Sequence, residues 1–317
     1  MTVAELIKSS KTTGFSFELL PPLRGNDINR VFRTIDMLKE FNPLYINITS
    51  HRDEVVFKDT EKGLYERKVV RKRPGTVSVA ASIQNKYGIK VVPHIICSGF
   101  TKSETEYALI DLNFLGIHDL LVLRGDNSQK EKFVNSDEAR NAYAVELSEQ
   151  INELNKGKSL DGTLMDPFET PFSYGVAGYP EKHEEAPNME SDFYYLKQKV
   201  DAGAEYIVTQ MFFDNSKYFE FVDRCRSIGI NVPIVPGLKP ITLKNQMTVL
   251  PRIFHVDIPE VFAKELRRCK NDDEVKQAGV EWCTMQAKEL IAANVPVLHF
   301  YTMMASRSVQ QVAKAVY

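Results

Sequence analysis

Short runs rich in β-branched and aromatic residues alternate along the chain with longer stretches whose apolar positions recur every three or four residues. The runs occupy residues 15–20, 45–49, 90–96, 119–123, 174–178, 206–212, 232–236 and 297–301. Each is followed by a helical pattern, clearest over residues 101–115, 192–202, 216–228 and 309–316. Strands and helices in alternation predict a parallel sheet with helices outside it. Eight such units are the number that closes a barrel, whereas an open doubly wound sheet ordinarily uses about five to seven strands. The pattern therefore predicts an α/β fold of the (β/α)8 TIM-barrel class, with residues 1–317 forming a single domain.

Two segments break the rhythm. Residues 51–75 form a long basic insertion after the second strand, on the rim where a barrel builds its site. Residues 157–171, rich in Gly, Pro and Asp, precede the fifth strand and read as a surface loop on the opposite rim. The length of 317 residues lies within the roughly 200–400 that barrel domains occupy. A formal net charge of −2 leaves no global basic field, so nucleic acid is not expected as a partner. No apolar run approaches the ~18 residues that span a bilayer, and the amphipathic residues 1–16 lack the apolar core of a secretory leader. A cytoplasmic protein with no membrane contact is the expectation. Cys97, Cys225, Cys269 and Cys283 lie far apart without C-x-x-C spacing and read as reduced, mostly buried thiols.

In a barrel, chemistry gathers at the C-terminal ends of the strands. Those ends are polar here: Glu18 on the first, Thr49-Ser50-His51 on the second, His94 on the third and Arg124-Gly125-Asp126 after the fourth. Gly178-Tyr179-Pro180 leaves the fifth, Thr209-Gln210 lies on the sixth, Gly237-Leu238-Lys239-Pro240 follows the seventh, and His299 and Tyr301 lie on the eighth. So many polar groups on one rim point to a ligand site rather than to packing. Taken singly, each has a plainer explanation: Glu18 as a structural carboxylate paired to a lysine, His94 as a satisfied core histidine, and the basic run from Arg67 to Arg73 as a solvated face. Gly125 lets a ligand approach the backbone, while Arg124 and Asp126 set a donor fork and an acceptor beside it. G-x-G-x-x-G, G-x-x-x-x-G-K-[ST] and H-E-x-x-H are absent, His183-Glu184-Glu185 lacking the second histidine, so no metal site is expected.

Several of these residues belong to longer motifs. Phe15-Ser16-Phe17-Glu18 with Pro21-Pro22, Pro93-His94, Leu123-Arg124-Gly125-Asp126 and Gly178-Tyr179-Pro180-Glu181-Lys182-His183 are followed by three more. These are Lys199-Val200-Asp201-Ala202-Gly203-Ala204, Thr209-Gln210-Met211-Phe212-Phe213-Asp214 and His299-Phe300-Tyr301-Thr302. In content and order they resemble the landmarks of the methylenetetrahydrofolate reductases, in the bacterial form that comprises the catalytic barrel, and the resemblance runs from about Gly14 to Thr302. It implies FAD bound without a covalent link, NADH or NADPH and methylenetetrahydrofolate as partners, a homo-oligomer, and a place in one-carbon metabolism and methionine biosynthesis. Carried over by position, the family's flavin contacts fall on Thr49, Ser50, His94, Arg124, Gly125, Asp126, Tyr143, Ala144, Tyr179, His183, Asp192 and Lys199. Arg124, His183 and Lys199 suit the pyrophosphate and Tyr179 offers a flat face to an aromatic ring. Substrate contacts fall on Glu18, Gln210, Gln246 and Tyr301, and the catalytic pair on Glu18 and Asp126. The chain departs from the family at Ser50-His51-Arg52, where many members read Tyr-Gly-Ala after the threonine, and at Met303, Met304 and Ala305, where the usual Leu-Asn-Arg supplies an arginine that helps hold the folate. It also ends at Tyr317 without the regulatory extension of animal homologues, so control by S-adenosylmethionine is not expected.

The mechanism that the resemblance implies is ping-pong: a hydride passes from the nicotinamide to the flavin and then to the folate, whose bridge must first open to an N5-iminium cation. Opening needs a proton on N10, for which Glu18 is the donor. Its neighbours Phe17, Leu19 and Leu20 supply the desolvation that raises a carboxyl pKa. Asp126 is expected near the pyrimidine edge of the flavin, where a negative charge favours the cationic intermediate. Two rivals are a proline-dehydrogenase-like FAD barrel, for which Arg307 is the only candidate on the last helix to grip a substrate carboxylate, and a non-catalytic folate- or flavin-binding subunit.

Overall fold

The computed structural model describes residues 1–60, 63–125, 139–303 and 305–317. In chain order its strands are β1 (Gly14–Leu19), β2 (Tyr45–Ile48), β3 (Glu54–Asp59), β4 (Tyr65–Val70), β5 (Val91–Ile96), β6 (Asp119–Leu123), β7 (Ser173–Gly178), β8 (Tyr206–Met211), β9 (Ile234–Leu238) and β10 (Val297–Tyr301). Eight of them pair in parallel in the order β1-β10-β9-β8-β7-β6-β5-β2 and close the predicted barrel. The helices are α1 (Val3–Ser9), α2 (Asn29–Leu38), α3 (Thr76–Tyr87), α4 (Lys102–Phe114), α5 (Ala144–Asn155), α6 (Met189–Asp201), α7 (Asn215–Ser227), α8 (Gln246–Phe254), α9 (Glu260–Arg268), α10 (Asp272–Ala292) and α11 (Ser306–Val316). Among the described residues no helix is long and apolar enough to cross a membrane.

Alternation along each strand divides the core in two. Outward residues such as Phe15, Phe17 and Leu19 of β1 pack against Val31, Ile35 and Leu38 of α2 and their counterparts around the ring. Inward residues Tyr45, Val92, Leu121, Tyr206, Val235 and Val297 fill the lower half of the barrel. The amphipathic N-terminal segment closes that end, since Val3, Ala4 and Ile7 of α1 join the same inner cluster. Thr2 and Glu5 form a capping box that starts this short helix, and the Val3 amide donates to Asp119 Oδ1 at 2.6 Å. Asp119 is in turn held by Lys90 at 2.9 Å. The four cysteines are free and buried.

The basic insertion over residues 51–75 carries a hairpin, with β3 and β4 pairing antiparallel from Glu54↔Val70 to Asp59↔Tyr65. Its cations Arg67, Lys68, Arg71 and Lys72 lie exposed, as on a solvated face, with Arg71 3.1 Å from Asp53 and Lys72 2.5 Å from Glu54, while Arg73 donates to the Pro21 carbonyl. One expectation needs correction. The seventh barrel strand runs two residues later than residues 232–236, as Ile234–Leu238. Pro233 has no N–H to give a ladder, so regular pairing begins after it. Pro236, which also lacks a donor, sits where the β8–β9 register slips between the pairs Val208↔Val235 and Met211↔Gly237. A β-bulge at Thr209 and Gln210 therefore opposes the residue that cannot donate.

Because α1 completes the inner core, Ile7→Ala should lower unfolding free energy by about 2–5 kcal/mol. Urea denaturation followed by circular dichroism reads this, and a loss below about 0.5 kcal/mol would place α1 outside the cooperative core.

Candidate active site

The inward positions change character with height. Above the apolar layer come Ser16 and His299, with Ser16 Oγ 2.9 Å from His299 Nδ1, and above them Glu18, Asn47, His94, Gln210 and Tyr301. Ser16 and Glu18 are two residues apart on β1 and so face the same side. The side-chain amide of Asn47 donates to His94 Nε2 at 3.2 Å, which makes that nitrogen an acceptor and places the imidazole proton on Nδ1. Glu18 Oε2 lies 3.7 Å from the same nitrogen, with its side chain 14% exposed. Burial pushes the Glu18 carboxyl up to about 8, while burial, reinforced by His299 and His51, pulls His94 down to about 3. Near neutral pH the two groups are a carboxylic acid beside a neutral imidazole, not an ion pair. The Thr302 hydroxyl donates to the Glu18 carbonyl at 2.7 Å, and Tyr301 OH to the Thr209 carbonyl at 2.7 Å, so the acid stands on a fixed backbone.

A cavity of about 500 Å³ opens above Glu18 and His94. Of the residues expected at a ligand, Thr49, Ser50, Arg124, Gly125, Tyr179, His183, Gln210 and Tyr301 also line it. The bulge delivers Gln210, whose Oε1 accepts from the Met211 amide at 3.0 Å. Gly125 has φ +83, and a Cβ there would lie 2.9 Å from Ser98 Cβ and 3.3 Å from Ile96 Cβ, so the position demands glycine. Thr49 Oγ1 is 2.9 Å from His51 Nε2. Arg124 Nε donates to the Ala142 carbonyl at 3.2 Å, its guanidinium lies 5.2 Å from the Tyr143 ring centroid, and Nη1 pairs with Glu185. Tyr179 and His183 meet edge to face at 4.7 Å.

Other expected residues stand apart. Tyr143 and Ala144 begin α5 beneath Arg124 and do not line the cavity. Asp192 and Lys199, both on α6, border a smaller recess behind Tyr179. There Lys199 Nζ donates to the Ala177 carbonyl at 2.6 Å, and burial draws the ammonium down to about 8. Asp192 Oδ2 accepts from the His183 amide at 2.9 Å. Gln246 turns back on its own helix start, where Oε1 accepts from the Thr242 amide at 2.7 Å. Asp126 lies outside the described residues. The cavity also takes in His51, Arg52, Ser98, Glu184, Phe254 and Met303, which the motifs did not single out as ligand contacts. Arg52 Nη1 donates to Ser98 Oγ at 3.1 Å, joining the hairpin stem to the β5 end. A polar residue beside a motif was the available signal for His51, Arg52 and Glu184, and it is a weak one.

Residues 2–316 match the sequence profile of the methylenetetrahydrofolate reductase family. Methylenetetrahydrofolate reductase (NADH) 1 of Arabidopsis thaliana is 31% identical over 322 residues, covering 97% of this chain and 49% of that protein. The 5,10-methylenetetrahydrofolate reductase of Salmonella typhimurium is 29% identical over 292 residues, covering 91% of this chain and 85% of that protein. The chain thus spans about half the length of the plant relative and most of the bacterial one. Among solved structures, a protein of Clostridium thermocellum that binds two copies of 5-methyl-5,6,7,8-tetrahydrofolic acid superposes with a TM-score of 0.57 at 10% identity, over 99% of both chains, a likeness of fold. Matched over nearly all its length, with the family's motifs at the ends of its barrel strands, the chain belongs to the methylenetetrahydrofolate reductase family.

Proposed function

We propose that this chain reduces 5,10-methylenetetrahydrofolate to 5-methyltetrahydrofolate as a cytoplasmic, FAD-dependent enzyme, taking its electrons from NADH or NADPH in a ping-pong cycle. The observation that carries the reading is the acid at the cavity floor: Glu18, on β1 of a chain with this family match, keeps its proton up to about pH 8. The residues present suit the flavin. Gly125 leaves backbone uncovered at the cavity wall, Tyr179 offers a ring face, and Arg124 and His183 offer N–H donors to phosphate. FAD, when bound, supplies the relay that stores a hydride between its two partners.

The chain's own groups act on the folate. Glu18 donates a proton to N10 of the folate, which lets the one-carbon bridge open to the N5-iminium cation that accepts hydride. His94, neutral and locked by Asn47, leaves that proton on the acid rather than drawing it into an ion pair. Gln210 and Tyr301 line the cavity close to Glu18 and serve to orient the pterin, Gln210 through its amide and Tyr301 through its ring. Asp126 is assigned the negative charge that favours the cationic intermediate. The cavity walls exclude bulk water around the acid, which is the physical source of its raised pKa.

Two measurements test the role of Glu18. In stopped-flow absorbance, Glu18→Gln should bleach the flavin with NADH within about tenfold of the wild-type rate, yet reoxidise with methylenetetrahydrofolate at least ~10²-fold more slowly. The wild-type reoxidation rate should also fall as pH rises through about 8, where Glu18 loses its proton, while flavin reduction does not share that decline. Reoxidation at near wild-type speed in the variant would remove Glu18 as the donor.

Stability carries the same titration. An unfolded chain releases the Glu18 proton near 4.5 whereas the folded one holds it to about 8, so this group's contribution is full below about 4.5 and is lost as pH rises through 8. Glu18→Gln should therefore gain stability relative to wild type between pH 5 and pH 8, as read by urea denaturation at both. A difference that does not change with pH would mean that Glu18 titrates normally.

A further inference from the structure

Among the described residues Arg124 meets the Ala142 carbonyl, the Tyr143 ring and the carboxylate of Glu185. The last comes from the segment between β7 and α6, and the side chains of the pair are 28% and 35% exposed, screened from water but not sealed. Around Glu185 the backbone is tied down. Its own amide donates to His183 Nδ1 at 3.2 Å, and Lys182 Nζ donates to the His183 and Ala186 carbonyls at 3.0 and 2.6 Å. Glu184 pairs with His255 at 2.5 Å. The carboxylate of Glu185 can therefore rotate away from Arg124 while the segment that carries it stays in place.

The charges nearby disfavour an incoming anion. Glu184, Glu185 and Asp192 gather close to His183, which burial holds below the ordinary histidine range and so leaves neutral, while Lys199 is committed to a backbone carbonyl. A diphosphate arriving at Arg124 meets a guanidinium already neutralised, beside a carboxylate of its own sign. We propose that Glu185 is an internal counter-ion for Arg124: it occupies the guanidinium in the cofactor-free protein and yields it to a phosphate of the dinucleotide, so residue 185 sets how fast and how tightly FAD is taken up. The proposal rests on the reading of this cavity as a flavin site. Glu185 is thus a positioning residue in reverse, keeping Arg124 paired until the ligand arrives and opposing its entry.

The test compares flavin-stripped wild type, Glu185→Gln, Arg124→Ala and the double variant, with FAD binding read by fluorescence quenching and association by stopped flow. Glu185→Gln should bind FAD about fivefold more tightly, the scale of a partly exposed ion pair, chiefly through faster association. The same variant should melt at a lower temperature than wild type when stripped, and lose that deficit when FAD is bound. In the Arg124→Ala background the Glu185 substitution should leave FAD affinity unchanged. Weaker or unchanged binding by Glu185→Gln, or an advantage that persists without Arg124, overturns the proposal. Wild-type protein that binds no FAD sinks the flavin reading and the counter-ion role with it, whereas wild type that binds FAD beside an unresponsive Glu185→Gln sinks the counter-ion role alone.

Discussion

The rest of the site depends on one desolvated carboxyl. Glu18 sits on an inward position of a barrel strand, with the apolar layer below it and the cavity above, and at that height water cannot solvate a negative charge well. A cation within contact would have cancelled the effect. What stands beside Glu18 instead is an imidazole that is itself buried and kept neutral, its Nε2 lone pair already taken by the Asn47 amide. Two groups that would ionise each other in water remain uncharged here because both lose by ionising in a low dielectric.

That arrangement explains why the barrel carries a polar upper storey on an apolar base. Tyr45, Val92, Leu121 and Val297 supply dispersion and burial, and α1 completes them from below. With stability secured there, the upper inward positions can hold groups that a core would ordinarily reject, including His299 with an unpartnered Nε2 and Asn47 with an unpartnered Oδ1. Such orphaned atoms are costly, and these two sit among the inward polar residues beneath the cavity.

Much of this was legible in the sequence because strand alternation and strand ends are local properties. Glu18, His94 and Gln210 are found at the rim where the runs of β-branched residues stop, and the eight runs fall within about two residues of the strands that form. The features that escaped arise from pairing between distant segments. The β8–β9 bulge depends on Pro236 meeting Thr209 and Gln210 across two strands, and neither run announces the other. The hairpin of residues 54–70 was masked by its charges, since Lys58, Glu66, Arg67 and Lys68 hide the period-two pattern of Val55, Phe57 and Val69. Gln246, expected at the folate, accepts from the Thr242 amide at its own helix start, a contact set by the local turn. The contact between Arg124 and Glu185 joins two loops 61 residues apart and has no sequence signature at all.

The helix that plugs the lower end of the barrel has one more consequence. A vessel stoppered at its base is filled from its mouth, so among the described residues the way to Glu18 leads in from the rim where the strands end. Any loosening of the stopper would expose the apolar layer to water from below, beneath the buried pair of Ser16 and His299.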